Sequence, residues 1–294
     1  MGRINELVEG KNLEIFRCPK CRGVLGLDAD KFTCANGHGQ FKLGADKIFF
    51  IDDSSLEFYE NEHRSGINKL KSFFKRYPRL YYFLWHIFCP VYLNGKRPVS
   101  VLRMLDVNKK NLVLNLGSGP RRIHGDFINL DVIPFPEVDI IADVSELPFA
   151  DGTFDAVVSE SLLEHVPDPQ KVVSEMRRVL RPEGILYASI PFLTPFHASP
   201  DDFNRWTKNG LHHLFSGFKL VEEGVDGGPW SALLVFLAYW GGTVFSFGVE
   251  KAASWFAFGF MIILGPFKIF DWFFSRLPGA HAVAAQLYFI GKKK

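Results

Sequence analysis

Between Asn111 and Arg122 the chain reads NLVLNLGSGPRR, a continuous apolar run that breaks into a glycine turn. A strand with no polar face borders water on neither side, so this one belongs inside a parallel sheet covered by helices. The pattern recurs: FINLDV is a second strand ending at Asp131, VDIIADVSELPF a third reaching Asp143, and FDAVVSES a fourth. DPQKVVSEMRRVLRPEG then predicts a helix. Asp168 caps it, Pro169 takes the first turn, Val172, Val173, Met176, Val179 and Leu180 share one face, and Pro182 with Gly184 stops it. GILYASIPF is a fifth strand, FKLVEEGVDGG from Phe218 a sixth and AAQLYFIGKKK a seventh. This rhythm is that of a doubly wound α/β sheet, whose ligands sit at the carboxyl ends of the strands.

Gly117 and Gly119 let the backbone pass close to a ligand, and Asp131 stands where a carboxylate accepts hydrogen bonds from ribose hydroxyls. A dinucleotide fingerprint needs a third glycine where Arg122 stands, which weakens a nicotinamide reading. In order, LNLGSGP, NLD, ADVSELPFADGTFDAVVSESLLEHVPDP and RVLRPEGILYASIPF resemble the class I S-adenosylmethionine-dependent methyltransferases, in the branch whose fourth strand is followed by LEHV. The likeness runs from Asn111 to Phe192. It implies a seven-stranded Rossmann-like methyltransferase sheet in which the seventh strand lies beside the fifth. It also implies that Gly117, Ser118 and Gly119 approach the methionine part of the cofactor, that Asp131 holds the ribose, that Asp143 and the Val144 backbone read the adenine, and that Glu160 lies beside the sulfonium. Two positions depart from the family pattern: Asn115 replaces the usual acidic residue before the first glycine, and Pro120 the commoner third glycine.

A sulfonium gives up its methyl group by in-line displacement, so such a protein mainly aligns a nucleophile and excludes water. A hydroxyl acceptor also needs a base. The stretch PFLTPFHASPDDFNRWT after the fifth strand offers His197, Asp202 and Arg205, and His165 follows the fourth strand. His197 or His165 is expected to take the acceptor proton, with Asp202 and Arg205 positioning the acceptor or pairing as a loop brace. After the fourth strand there is no Asn or Asp followed by Pro-Pro and an aromatic residue, the signature of methylation on exocyclic amines of nucleic acid.

Near the N-terminus, Cys18 and Cys21 form one close pair and Cys34 and His38 another. Two such knuckles joined by a hairpin-length spacer match a closed tetrahedral zinc site, which is structural and supplies folding free energy to a small segment. No basic start followed by an apolar run precedes them, and Glu6 stands where a myristoylation signal needs Ser or Thr, so a cytoplasmic location is expected.

Two further segments bear on partners. Lys69, Lys71, Lys75, Arg76 and Arg79 precede Tyr81, Tyr82, Phe83, Trp85 and Phe88, a basic aromatic helix suited to packing on the main domain, to a bilayer interface or to single-stranded nucleic acid. WSALLVFLAYWGGTVFSFGV, from Trp230 to Val249, carries no charge, and ten of the 30 Phe fall between Phe236 and Phe274. The resemblance implies that the sixth and seventh strands pair in one sheet, so both ends of this insertion are expected on one side of any bilayer. Twenty residues barely cross about 30 Å of hydrocarbon, and Ala252 to Phe267 is shorter still, so a hairpin dipping into one leaflet fits better than two spans. A buried cap or dimer interface is the soluble counterpart.

The expected division is a zinc ribbon at 1–52, a helical linker at 53–108 and a methyltransferase domain at 109–294, interrupted by an apolar helical hairpin at 229–280. The expected function is methyl transfer from S-adenosylmethionine to a small molecule, lipid or lipid-linked glycan at the inner face of the cytoplasmic membrane. A ribosomal-RNA methyltransferase is the alternative, since its zinc-ribbon pattern also resembles this one. Against it stand a net charge of only +2 and the apolar insertion. A noncatalytic cofactor-binding scaffold is the third reading.

Overall fold

The structure is a computed structural model that describes residues 12–28, 30–44, 46–52, 83–84, 86–106, 110–197 and 201–294. Most of the expected basic aromatic helix, from Lys69 to Tyr82 and at Trp85, lies outside the described residues.

The strands are β1 (Leu25–Asp28), β2 (Lys31–Cys34), β3 (Gln40–Leu43), β4 (Ile48–Phe49), β5 (Val113–Leu116), β6 (Phe127–Asp131), β7 (Ile140–Ile141), β8 (Phe154–Glu160), β9 (Leu180–Pro191), β10 (Phe218–Gly227) and β11 (Gln286–Lys293). They form one sheet in the order β1-β2-β3-β4-β7-β6-β5-β8-β9-β11-β10. Its centre, β7-β6-β5-β8-β9, is parallel, and β11 runs antiparallel between β9 and β10. The seven strands expected after Asn111 are β5 to β11, with the last beside β9, and the four strands of the N-terminal segment extend the same sheet to eleven. The N-terminal meander adds its last strand edge-on, with Ile48 and Phe49 of β4 parallel to Ile140 and Ile141 of β7. The physical reason is apolar: Phe16, Phe32, Phe41 and Phe50 join one buried cluster with Leu114, Ile128, Leu147 and Phe149.

The helices are α1 (Pro169–Val179), α2 (Lys208–Leu214), α3 (Pro229–Phe245), α4 (Glu250–Leu264) and α5 (Asp271–Phe274). Asp168 caps α1 by accepting from the Lys171 amide at 3.0 Å, and Val172, Val173, Met176 and Val179 are buried. Leu180, expected on that helical face, instead opens β9, and Pro182 and Gly184 lie within this strand.

The doubly wound rhythm holds only in part. Residues 117–126 and 132–139 join parallel strands without a helix. On that side a 3-10 turn, Pro98–Met104, covers the sheet, with Val101 packed against Val113, Phe127, Val158 and Tyr187. Arg122 replaces what a crossover helix would hold. Its guanidinium donates to Asp139 at 2.7 and 3.1 Å, to Glu137 Oε2 at 3.0 Å and to the Phe127 and Glu137 carbonyls at 3.0 and 2.8 Å, pinning both loops together. A bidentate fork of this kind fixes geometry that a lysine would not.

Between β10 and β11 the apolar segment forms two antiparallel helices whose contact uses small residues. A Cβ on Gly242 would meet the Ala257 Cβ at 2.7 Å, and one on Gly241 the Phe260 ring at 2.6 Å. Asp271 holds the base of the hairpin by accepting from the Trp230 and Ser231 amides at 2.9 and 2.7 Å, so it satisfies donors that α3 leaves unpaired at its first turn. Glu250 and Lys251 belong to the first turn of α4 rather than to the connection. The reversal falls at residues 246–249, where Phe247 and Gly248 take positive φ and Phe247 is 93% exposed.

Candidate functional site

Five strands deliver their carboxyl ends to one edge of the sheet, and every cofactor-side residue expected from the sequence except Asn115 follows or ends one of them. After β5 the chain turns through Gly117 and Gly119, at φ +63° and +59°. A side chain at Gly117 would collide with Leu162 at 2.8 Å, whereas a Cβ on Gly119 would meet nothing within 4 Å among the described residues. The Ser118 amide donates to the Leu130 carbonyl at 3.2 Å. Asp131, closing β6, accepts from the Gly119 amide at 2.8 Å and from the Ile133 amide at 2.9 Å, and thus ties the glycine turn to the next loop.

Asp143 lies two residues beyond β7, not at its end. It is exposed and accepts from the Ser145 amide at 2.8 Å, while Val144 beside it is buried. Asn115 lies one residue before the end of β5. It is buried within β5 and donates to Asn129 Oδ1 at 3.1 Å, in a chain that continues from Asn129 to the Glu137 carbonyl. Its amide suits that network, because a carboxylate there would have no proton to offer Asn129.

Glu160 ends β8 and pairs with Arg121 at 3.3 Å. Burial pushes its carboxyl up to about 7, against the pull of Arg121. Behind it lies a polar cluster that pattern reading missed: Ser189 donates to Asp226 at 2.5 Å, and Gln286 donates to Ser189 and Ser161 at 2.9 and 3.1 Å. Asp226 was visible only as part of a strand ending in VDGG, since nothing local says that its side chain reaches β9.

The second group follows β8 and β9. Glu164 and His165 sit on a 3-10 turn, Leu163–His165, and His197 lies beyond β9. His165 and His197 meet edge to face with ring centroids 5.3 Å apart, and their Nε2 atoms stand 3.8 and 3.9 Å from Glu164 Oε1. Burial holds both imidazoles below their ordinary range and pushes the Glu164 carboxyl up to about 8. Asp202 and Arg205 form the loop brace. Asp202 Oδ2 accepts from Arg205 Nη2 at 2.6 Å and from the His197 amide at 2.8 Å, and Arg205 also donates to the Thr194 and Pro195 carbonyls at 3.3 and 3.2 Å. Against the cost of burial, these donors hold Asp202 at about 2. The pair is spent on positioning His197. Glu164 was legible in LEHV but received no role, because its burial depends on packing under 201–205, where the Phe203 amide donates to the Glu164 carbonyl at 2.7 Å.

The third group is N-terminal. Cys18, Cys21, Cys34 and His38 bring one ligand atom each to within 4.8 Å of one another. Cys21 Sγ lies 3.6 Å from Cys34 Sγ, and Cys34 Sγ 3.6 Å from His38 Nδ1. Sulfurs at about 2.3 Å around a tetrahedral zinc stand about 3.8 Å apart, so these residues fit that ion. Backbone amides near His38 and the imidazole itself pull the Cys34 thiol down to about 6, toward the thiolate that a metal binds.

Comparison with known proteins finds likenesses that centre on the parallel part of the sheet. Residues 121–188 match the methyltransferase domain family. An uncharacterized methyltransferase of Mycobacterium sp. (strain KMS) is 37% identical over 83 residues, covering 28% of this chain and 30% of that protein. The demethylmenaquinone methyltransferase of Renibacterium salmoninarum is 45% identical over 65 residues, 21% of this chain and 27% of that one. The matched segment thus spans less than a third of these relatives. Among solved structures, the 1,6-didemethyltoxoflavin-N1-methyltransferase of Burkholderia thailandensis superposes with a TM-score of 0.44 at 15% identity, covering 92% of this chain and 98% of that one.

Proposed function

We propose that this chain is an S-adenosylmethionine-dependent methyltransferase whose acceptor is a hydroxyl or carboxyl group on a small molecule, lipid or lipid-linked glycan at the cytoplasmic membrane face. The observation that carries the reading is the tie between Asp131 and the Gly119 amide, which presents an acidic side chain beside an open, positive-φ glycine turn at the sheet's carboxyl edge. That combination suits a nucleoside whose ribose needs a carboxylate and whose chain needs close backbone approach. When bound there, S-adenosylmethionine supplies an electrophilic methyl group. Asp131 would hold the ribose, Asp143 and the Val144 backbone the adenine, and Glu160 would face the sulfonium charge from the end of β8. Leu162 over Gly117 helps keep water from the reacting centre. The acceptor belongs on the side of Glu164, His165 and His197, where the Asp202–Arg205 brace fixes the His197 ring.

Two features support the rest of the reading. The N-terminal cluster suits structural zinc, and zinc there would hold β4 against the edge of the sheet. The α3–α4 hairpin exposes Phe236, Trp240, Phe245, Phe247, Trp255 and Ile263 to solvent. Helical turns run on from α4 through Ala252–Phe274, 23 residues long and apolar enough to cross a membrane, whereas the 17 residues of α3 reach only about 26 Å at about 1.5 Å per residue, so the pair falls short of two full spans. A hairpin entering one leaflet tip-first, with Phe247 foremost, accounts for a patch that water would otherwise cover. Incubating the full chain with methyl-labelled S-adenosylmethionine and separated lipid, glycan and RNA fractions tests the reading. Label is expected in the lipid or glycan fraction, and label confined to RNA would overturn the assignment of acceptor.

A further inference from the structure

Glu164 poses a problem that the methyltransferase reading leaves unsolved. Its side chain is fully buried at 0% exposure, and the only donors near its carboxyl, its own backbone amide and the Ser161 hydroxyl among the described residues, are too poorly aligned to satisfy either oxygen. A charged carboxylate so weakly supported is costly to bury, and a cation beside it would offset that cost. The groups facing it are two imidazoles, and their orientation is fixed from behind. His165 Nδ1 lies 2.5 Å from the Asp201 carbonyl oxygen, and His197 Nδ1 lies 3.2 Å from that of Pro195. Arg205 Nη2 is also 3.2 Å from His197 Nδ1, but its two protons have Asp202 Oδ2 at 2.6 Å and the Pro195 carbonyl at 3.2 Å to satisfy. Each ring is therefore assigned a proton on Nδ1, shared with a backbone carbonyl, and a lone pair on Nε2 directed toward Glu164. Two imidazole lone pairs and one carboxyl group, whose proton a bound metal ion would displace, converge on one point.

We propose that Glu164, His165 and His197 form a second metal centre, holding a divalent first-row transition ion whose open coordination positions take an oxygen of the methyl acceptor. The three ligand atoms lie within 4.8 Å of one another, so small side-chain rotations close them onto one ion. Two imidazoles and one carboxylate suit zinc, manganese, iron or cobalt and leave positions for water or substrate. A carbonyl behind each imidazole and a bidentate brace behind His197 are the outer contacts that hold metal-binding histidines in place. The acceptor role, unlike metal binding, rests on the methyltransferase reading. In it, an acceptor hydroxyl on the ion loses its proton to water, its oxygen pair forms the new C–O bond, and the S–C pair remains on sulfur.

The test uses the full chain, chelated, reloaded with one equivalent of zinc to fill the thiolate-rich N-terminal site, freed of excess zinc and then titrated with manganese(II). Manganese prefers nitrogen and oxygen donors and leaves the thiolate-rich N-terminal site to zinc. Metal analysis and manganese electron paramagnetic resonance should show one manganese beyond the ribbon zinc. Glu164→Gln, which keeps shape, and His197→Ala should each weaken manganese at least about 10-fold while retaining ribbon zinc and S-adenosylhomocysteine binding, which report folding. Manganese binding that is absent in the wild type, or unchanged in both variants, overturns the proposal. Metal bound as expected with no methyl transfer to any acceptor upholds the site and overturns the enzymatic reading instead.

Discussion

Asp131→Asn tests the cofactor pocket through a single atom. The wild-type carboxylate accepts from two backbone amides, Gly119 at 2.8 Å and Ile133 at 2.9 Å. Asparagine keeps one acceptor oxygen and turns an NH2 group toward the other amide, so one charge-assisted bond is lost and a donor faces a donor. Hydrogen bonds to a charged group contribute about 1.5–3 kcal/mol. If the Gly119 turn is organised for the cofactor, that loss appears as binding energy, and the dissociation constant rises about 10- to 150-fold. Titration calorimetry on the full chain measures it with S-adenosylmethionine and with S-adenosylhomocysteine. Both should weaken alike, because ribose and adenine are common to the two. A change below about threefold for both ligands, with thermal stability retained, would refute the assignment of Asp131 to the ribose and of the turn to the pocket.

Other consequences separate the remaining roles. Because burial raises Glu160 to about 7, it carries a proton below that pH and a charge above it. Affinity for the cationic S-adenosylmethionine should therefore rise with pH through about 7 while affinity for the neutral-sulfur product stays level; a level profile for both, or a slope surviving Glu160→Gln, would contradict it. With zinc in the N-terminal cluster as proposed, chelation should lower the melting temperature of the whole protein in one cooperative transition, because Phe16 packs on Phe149 at 5.8 Å within the shared core. A separate low-temperature transition, leaving the main one unmoved, would show that the ribbon is independent. Phe247→Asp should weaken vesicle binding by at least about 2 kcal/mol, roughly 30-fold, in a sedimentation assay. Unchanged binding would remove the hairpin tip from the interface.

The parts of this fold that sequence reading recovers are those fixed by local pattern. The strands after Asn111, the Asp168 cap and the knuckle spacing all follow from periodicity, turn chemistry or ligand geometry within a few residues. What it missed is set by partners distant in sequence. The pairing of Ile48 with Ile140 leaves no local trace, and neither does the extension of the sheet to eleven strands. Arg122 reads as a glycine lost from a fingerprint until Asp139 and Glu137 are seen around it. The hydrogen bond of Asn115 to Asn129 becomes visible only once β6 is placed beside β5. For the acceptor side, the residue types were legible but their division of labour was not. Asp202 and Arg205 turn inward on each other, and the group that most needs a ligand is Glu164, whose neighbours are supplied by a loop more than thirty residues away.

The most direct test is titration of S-adenosylhomocysteine into the purified, zinc-loaded full chain, followed by structure determination of the mixture. The account predicts one ligand per chain, with its ribose on Asp131 and its sulfur between the Gly117 turn and Glu160. No heat on titration, together with a carboxyl edge closed by the protein's own side chains, would contradict it.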